Sequence, residues 1–322
     1  MENNEQISVI GSGLMGHGIA QIFALHGHAV RLYDLKQEFL DRAVQSVRDN
    51  LAVFAAHGII SAEDASRAPA RITCTLNLEE AAEDADFIIE AVPENMALKQ
   101  DIFRRLDSMS KPSAVLSSNT SVMSITEIAS ASVHKERIIG THFWNPPYLI
   151  PLVEVVQTED SAPEVIRFAM DILRRAGKNP IHCRKDVPGF VANRMQHALW
   201  REALYIVEQG ITDFATVDEA VRLSFGMRLP HLGPMENADM VGLDLTLAIH
   251  DYILPHLCDS HTGSPLLRAR VAAGKLGFKS GRGLRSWTAE ESAASHDALR
   301  EYLLDIAERK AGKNESFPLT SA

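Results

Sequence analysis

One stretch constrains this chain more than any other: Ile7-Ser8-Val9-Ile10, then Gly11-Ser12-Gly13-Leu14-Met15-Gly16, then Ile19 to Leu25 at helical spacing. A short buried strand passes through a G-x-G-x-x-G turn into a helix. The glycines let the backbone turn tightly and approach a pyrophosphate. The free N–H groups and dipole at the helix start stabilise its charge. Gly11, Gly13, Leu14, Met15 and Gly16 are the residues placed for that contact. A second strand, Ala29 to Tyr33, ends at Asp34, whose carboxylate can accept hydrogen bonds from an adenosine ribose and would repel a 2′-phosphate. A glycine turn that merely packs a helix is the plainer alternative. Strand, helix and acid in register favour a dinucleotide, and NAD over NADP.

The alternation continues. A long helical segment from Lys36 to His57 closes at Gly58, and an acidic helix begins near Ser61, so a helical pair is inserted after the second strand. Strand patterns follow at Ile72 to Cys74, Asp86 to Val92, Ala114 to Ser117 and Pro180 to Cys183. Such alternation predicts an α/β fold, a Rossmann-type doubly wound and mostly parallel sheet, with ligands outside the C-terminal strand ends. Two loops fall there: Pro93-Glu94-Asn95, leading into a helix with Lys99, and Ser118-Asn119-Thr120-Ser121. The second fits a ligand contact and also a helix cap.

The segment His142 to Glu154, HFWNPPYLIPLVE, sets a histidine and a carboxylate on either side of an Asn-Pro-Pro turn. The histidine ends the run Arg137 to Thr141 and Glu154 lies inside Leu152 to Val156, so two neighbouring strands could bring them together. A buried His beside a buried carboxylate is a general base with its orienting partner. A core histidine bonded to a nearby acid has the same signature.

Beyond Asp186-Val187-Pro188-Gly189-Phe190 strand signals vanish. Helical patterns run over Phe190 to Gln209, Phe214 to Leu223 and about Met235 to Leu257, predicting an all-α C-terminal domain. We place residues 1–187 in a nucleotide-binding domain and 188–322 in the helical one. Helices apolar on several faces predict burial against a second copy, a homodimer. Asn193, near the start of the first of them, faces solvent or a cleft, and alone reads as solvent-facing. The basic, glycine-rich Gly274 to Gly283 follows no strand and reads as a turn-rich surface connection. Ala289 to Lys310 reads as one amphipathic helix, and Ala311 to Ala322 as a disordered polar tail.

A formal charge of −10 without a basic run argues against nucleic acid and anionic membranes as partners. Cys74, Cys183 and Cys258 lack metal-site spacing, so no metal is expected and a reduced, cytoplasmic setting is. The polar start leads straight into the first strand, which predicts no signal peptide, and no apolar run approaches the ~20 residues of a membrane span.

Taken in order, GSGLMGHGIA, IIEAVPEN, SNTS, HFWNPPYLIPLVEVV, DVPGFVANR and GKLGFKSGRG resemble the L-3-hydroxyacyl-CoA dehydrogenase family, including its relatives acting on free hydroxy acids such as L-carnitine and L-gulonate. The resemblance runs from Ile7 to about Trp287. It implies an NAD-dependent oxidoreductase of fatty acid metabolism taking a small-molecule 3-hydroxyacyl substrate. His142 matches the catalytic base, Glu154 its paired carboxylate, Ser121 a hydroxyl near the substrate oxygen, and Asn193 an amide near the reacting carbonyl, which turns Asn193 toward a cleft. Glu94 and Lys99 match residues lining the cofactor site, with Asn119 beside them, and Trp144, Asn145 and Tyr148 join Ser121 and Asn193 around the substrate. A CoA thioester leads as substrate and a free 3-hydroxy acid follows. The helical pair offers only Arg42 and Arg48 between Asp41 and His57, where CoA-binding members carry more bases, and the Tyr148 to Leu152 run looks like the carnitine and gulonate branch. Trp144 and Tyr148 could form an aromatic wall for a cation, or be core. A crystallin-like structural role is the alternative from another class.

Overall fold

The computed structural model describes residues 5–313. In chain order its elements begin β1 Gln6–Ile10, α1 Gly16–Leu25, β2 Ala29–Tyr33, α2 Gln37–Ala56, α3 Ala62–Arg67, β3 Ile72–Thr75, α4 Leu78–Ala82, β4 Phe87–Glu90, α5 Met96–Met109, β5 Val115–Ser118 and α6 Ile125–Ala129. They continue with β6 Ile138–Phe143, β7 Leu152–Val156, α7 Pro163–Arg175 and β8 Asn179–Cys183. The helices that follow are α8 Ala192–Glu208, α9 Phe214–Arg222, α10 Pro234–Val241, α11 Leu243–Ile253, α12 Pro265–Ala272 and α13 Ala289–Lys313.

The eight strands form one sheet in the order β3-β2-β1-β4-β5-β6-β7-β8. Every neighbouring pair is parallel except β6 with β7. The order reverses between β1 and β4, the crevice where such sheets bind ligands. Alternation along the strands feeds two cores: Ile7 and Val9 join Phe23, Leu40 and Phe87 on one face, and Ile10 and Ile88 join Phe103 and Leu116 on the other. Helix α2 is held to the first by Leu40, Ala43, Val47 and Leu51, buried at helical spacing. Each of the Leu and Val side chains contributes roughly 1.5–3 kcal/mol by leaving water.

The chain divides into two compact units: residues up to Asn193 together with those from Leu299 on, and Arg194–Ala298. Helix α13 therefore belongs partly to each. Its later part carries buried Leu304 and pairs Glu308 with His57 at the end of α2.

Two expectations are corrected. The helix expected over Met235 to Leu257 breaks at Gly242, whose φ of 100° lies outside the helical region. The polar tail expected from Ala311 is helical to Lys313, while 314–322 lie outside the described residues. The segment after β5 is capped by Ser124, which accepts from the Glu127 amide, leaving Ser118 to Ser121 for other contacts. No helix among the described residues is long and apolar enough to cross a membrane.

Candidate active site

Strands β6 and β7 place His142 directly opposite Glu154 in antiparallel register. Opposed residues have Cβ atoms about 4.5–5.5 Å apart. The ring's Nδ1 meets Glu154 Oε2 at 2.8 Å, with both residues buried. The carboxylate only accepts, so Nδ1 carries the proton and Nε2 keeps a lone pair free to take another.

Glu154 has its other positions filled. Oε2 also accepts Trp144 Nε1 at 3.3 Å, and Oε1 accepts the amides of Val191 and Ala192, at the start of α8, at 2.9 and 3.0 Å. Burial alone pushes this carboxyl up, but the His142 bond and the Ala192 and Val191 amides outweigh it and hold it below its ordinary 4.5. Nearby, burial and the Glu154 charge push the Cys183 thiol up to about 11.

Phe190 was missed by sequence reasoning. It has φ 47°, a left-handed conformation costing a non-glycine residue roughly 1–2 kcal/mol. Its ring lies 5.8 Å from that of His142, and the same turn delivers the two amides to Glu154. Only the Pro-Gly turn before it gave a signal.

A second feature is a pocket of about 940 Å³ at the C-terminal ends of β1, β2, β4 and β5, lined by Gly11, Gly13, Asp34, Glu94, Asn119 and Ser121 among others. The three glycines of the turn do different jobs. A Cβ on Gly11, φ 101°, would meet the Ala91 carbonyl at 2.8 Å; on Gly13 it would meet nothing within 4 Å and project into open space; on Gly16 it would meet the Gly11 carbonyl at 1.8 Å. Gly16 is buried and packs the helix against the turn, while Gly13 leaves room for a ligand. Leu14 and Met15 line the pocket. Asp34 is held by Ser12, whose amide and hydroxyl donate to it at 2.8 and 2.7 Å. The glycine cradle, the helix start and the fixed acid fit NAD.

The Ser118 to Ser121 loop is tied down from several directions. Ser118 Oγ donates to Glu90, Asn119 Oδ1 accepts the Phe143 amide at 2.8 Å, and Glu94 accepts from Thr120 Oγ1 and the Ser121 amide. Asn193 Nδ2 donates to the Ser121 carbonyl at 3.1 Å. Asn119 thus links the pocket wall to the residue following His142.

Other expected residues sit differently. Lys99 lines the pocket but is buried and bonded to Glu90 at 2.7 Å. Trp144 stands beside His142, whereas Tyr148 packs edge-on to Phe54 of α2, ring centroids 5.9 Å apart, and against Gly18. Asn145 is exposed and precedes a cis bond to Pro146. Lys178, which sequence reasoning also missed, anchors this loop by donating to the carbonyls of Pro147 and Ile150; burial and the Lys310 charge push its ammonium down to about 7. Among the described residues, no group of three or more His, Cys, Asp or Glu could hold a metal ion.

A dinucleotide cradle beside a histidine–carboxylate pair defines an NAD-dependent oxidoreductase. Residues 6–187 match the 3-hydroxyacyl-CoA dehydrogenase NAD binding domain and residues 189–287 its C-terminal domain. The chain belongs to the 3-hydroxyacyl-CoA dehydrogenase family. It is 39% identical over 289 residues to the Bacillus subtilis protein named "Probable 3-hydroxybutyryl-CoA dehydrogenase", covering 89% of this chain and 99% of that one. It is 34% identical over 288 residues to 5-formyl-3-hydroxy-2-methylpyridine 4-carboxylate 5-dehydrogenase of Mesorhizobium japonicum, covering 89% and 92%. The solved structure of an enzyme of that latter name, described as an NAD+ dependent dismutase, is similar with a TM-score of 0.88 at 32% identity, covering 97% of this chain and 100% of that one. The (S)-3-hydroxybutyryl-CoA dehydrogenase of Ralstonia eutropha gives 0.76 at 30%, covering 89% and 100%.

Proposed function

We propose that this enzyme oxidises the 3-hydroxyl of an L-3-hydroxyacyl-CoA to the 3-oxo group, and catalyses the reverse, with His142 as general base paired with Glu154. The observation that carries the reading is the buried 2.8 Å contact between His142 Nδ1 and a carboxylate whose remaining positions are already satisfied. NAD bound in the glycine-lined pocket supplies the hydride acceptor. His142 Nε2 takes the alcohol proton, and Glu154 stabilises the resulting imidazolium. In reverse the imidazolium protonates the developing alkoxide while Ser121 Oγ and Asn193 Nδ2 donate hydrogen bonds to it. Gly11, Gly13, Leu14 and Met15 receive the pyrophosphate with Gly16 supporting the turn, Asp34 takes the ribose, and Glu94, Lys99 and Asn119 flank the nicotinamide end. Of the three loop residues expected around the acyl group, Trp144 is the one beside His142, while Tyr148 packs on Phe54 and Asn145 is exposed. Residues 1–187 hold NAD and residues 188–322 contribute to substrate binding.

A free hydroxy acid is the second reading. The TM-score of 0.88 to an enzyme named for a pyridine carboxylate favours it, as do the sparse bases on α2, where Arg42 and Arg48 stand beside Asp41 and Asp49. NADH formation with L-3-hydroxybutyryl-CoA, 3-hydroxybutyrate, L-carnitine and L-gulonate at equal concentrations separates the two. A preference for the thioester supports the first reading, and a preference for any free acid replaces it with the second.

We also propose a cytoplasmic homodimer assembled through the helical unit. That unit leaves Trp200, Met227, Leu247 and Tyr252 at least half exposed, apolar side chains that a second copy would cover. Light scattering giving the mass of one chain, 35.4 kDa, at micromolar concentration would refute it.

A further inference from the structure

Three charged side chains meet at the pocket wall. Glu90, at the end of β4, is fully buried: Oε1 accepts Lys99 Nζ and the Val92 amide, both at 2.7 Å, and Oε2 accepts Ser118 Oγ at 2.6 Å. Lys99 also donates to the Val92 carbonyl at 3.2 Å and stands 3.5 Å from Glu94 Oε2. Glu94 differs from Glu90 in being 42% exposed, and it lines the pocket. Two carboxylates therefore share one ammonium, which is drawn to the one hidden from the pocket. The triad has one formal negative charge in excess, and its accessible member is a carboxylate.

Asp34 marks the adenosine end of the pocket, which leaves Glu94, Asn119 and Ser121 for the nicotinamide. Asn119 is bonded to the Phe143 amide, next to His142, and the hydride must be delivered at that side. The oxidised nicotinamide ring is a cation and the reduced ring is neutral. A net negative wall therefore acts on one redox form and not on the other, most strongly where water is excluded.

We propose that Glu94 makes the pocket discriminate between the redox forms of its cofactor in favour of the oxidised one, with Glu90 as the positioning residue that takes the Lys99 charge away from it. The inference rests on the placement of the nicotinamide end given above. It implies that NADH formed by oxidation occupies a site preferring its predecessor, which eases its release.

The test is calorimetric titration of the full-length protein with NAD+, NADH and ADP-ribose, which shares the adenosine and pyrophosphate but lacks the nicotinamide. Glu94→Gln should lower the ratio Kd(NADH)/Kd(NAD+) by about tenfold, or 1.4 kcal/mol, with the affinity for ADP-ribose staying within about twofold. Glu94→Asp, which keeps the charge, should retain most of the ratio. Glu90→Gln, if circular dichroism shows it folded, should lower the ratio too, because Lys99 is then free to neutralise Glu94. An unchanged ratio in Glu94→Gln, or equal shifts for all three ligands, overturns the inference and leaves the pocket assignment standing. Failure of the wild-type protein to bind any of the three overturns both.

Discussion

The two carboxylates Glu154 and Glu94 accept hydrogen bonds in similar number yet stand in opposite circumstances. Glu154 lies inside a strand pair, fully buried, with two backbone amides, an indole and an imidazole consuming its lone pairs. Glu94 sits on a loop at a pocket wall and keeps 42% of its side chain accessible. A carboxylate saturated in a dry site can influence little beyond the ring it touches, so it orients and stabilises one imidazole. A carboxylate left half open acts on whatever enters the pocket. The first should therefore control the proton, and the second the ligand.

Substitutions can break or sharpen that contrast. The largest effect is expected for His142→Gln, with kcat falling about 10³-fold, within the range general-base catalysis supplies, and NAD+ affinity within about twofold. A loss expressed mainly in NAD+ binding would erase the distinction between the two regions. Glu154→Gln should follow, with kcat down about 10²-fold because the imidazolium loses its counter-charge. Its stability profile has a definite sign. The folded carboxyl lies below its ordinary 4.5, so its stabilisation is present above that pH and disappears as pH falls through the folded value. Thermal melts from pH 6 to 3 should accordingly show the wild type losing Tm faster than Glu154→Gln, and parallel curves would contradict the shift.

At the far end of the pocket, Asp34→Asn should raise the KM for NAD+ about tenfold with kcat little changed, as expected for weakened hydrogen bonds to a charged acceptor. An equal loss in kcat would mean that the cofactor moves relative to His142. Smallest of all, Thr120→Val removes one hydroxyl from Glu94 and should change NAD+ affinity by no more than about fivefold, near the ~1 kcal/mol of a single hydrogen bond.

The parts of this site legible in the sequence are those whose geometry follows from local periodicity. Strand alternation was enough to bring His142 and Glu154 onto neighbouring strands, and the glycine spacing with Asp34 outlined the pocket. The antiparallel pairing that opposes them is non-local and had to be seen. Glu90 could not be read, because in IIEAV it is one acid in an apolar run whose partner lies nine residues away across a loop. Phe190 was hidden because a positive φ on a bulky residue has no composition signal. Helix α4, only five residues long, is too short to display a period, and a lone glycine such as Gly242 inside a helical pattern does not by itself mark a break.

The return of α13 to the first unit has a practical consequence for anyone cutting or labelling this protein. The family match ends at residue 287, an inviting place to shorten the gene. Ending there would delete Leu304 and the acid that meets His57, so damage should surface in the nucleotide-binding half, far along the chain from the cut. Likewise, dyes attached near the two ends of the described chain would both ride on the same unit, and the distance between them would say nothing about the helices from Arg194 to Ala298.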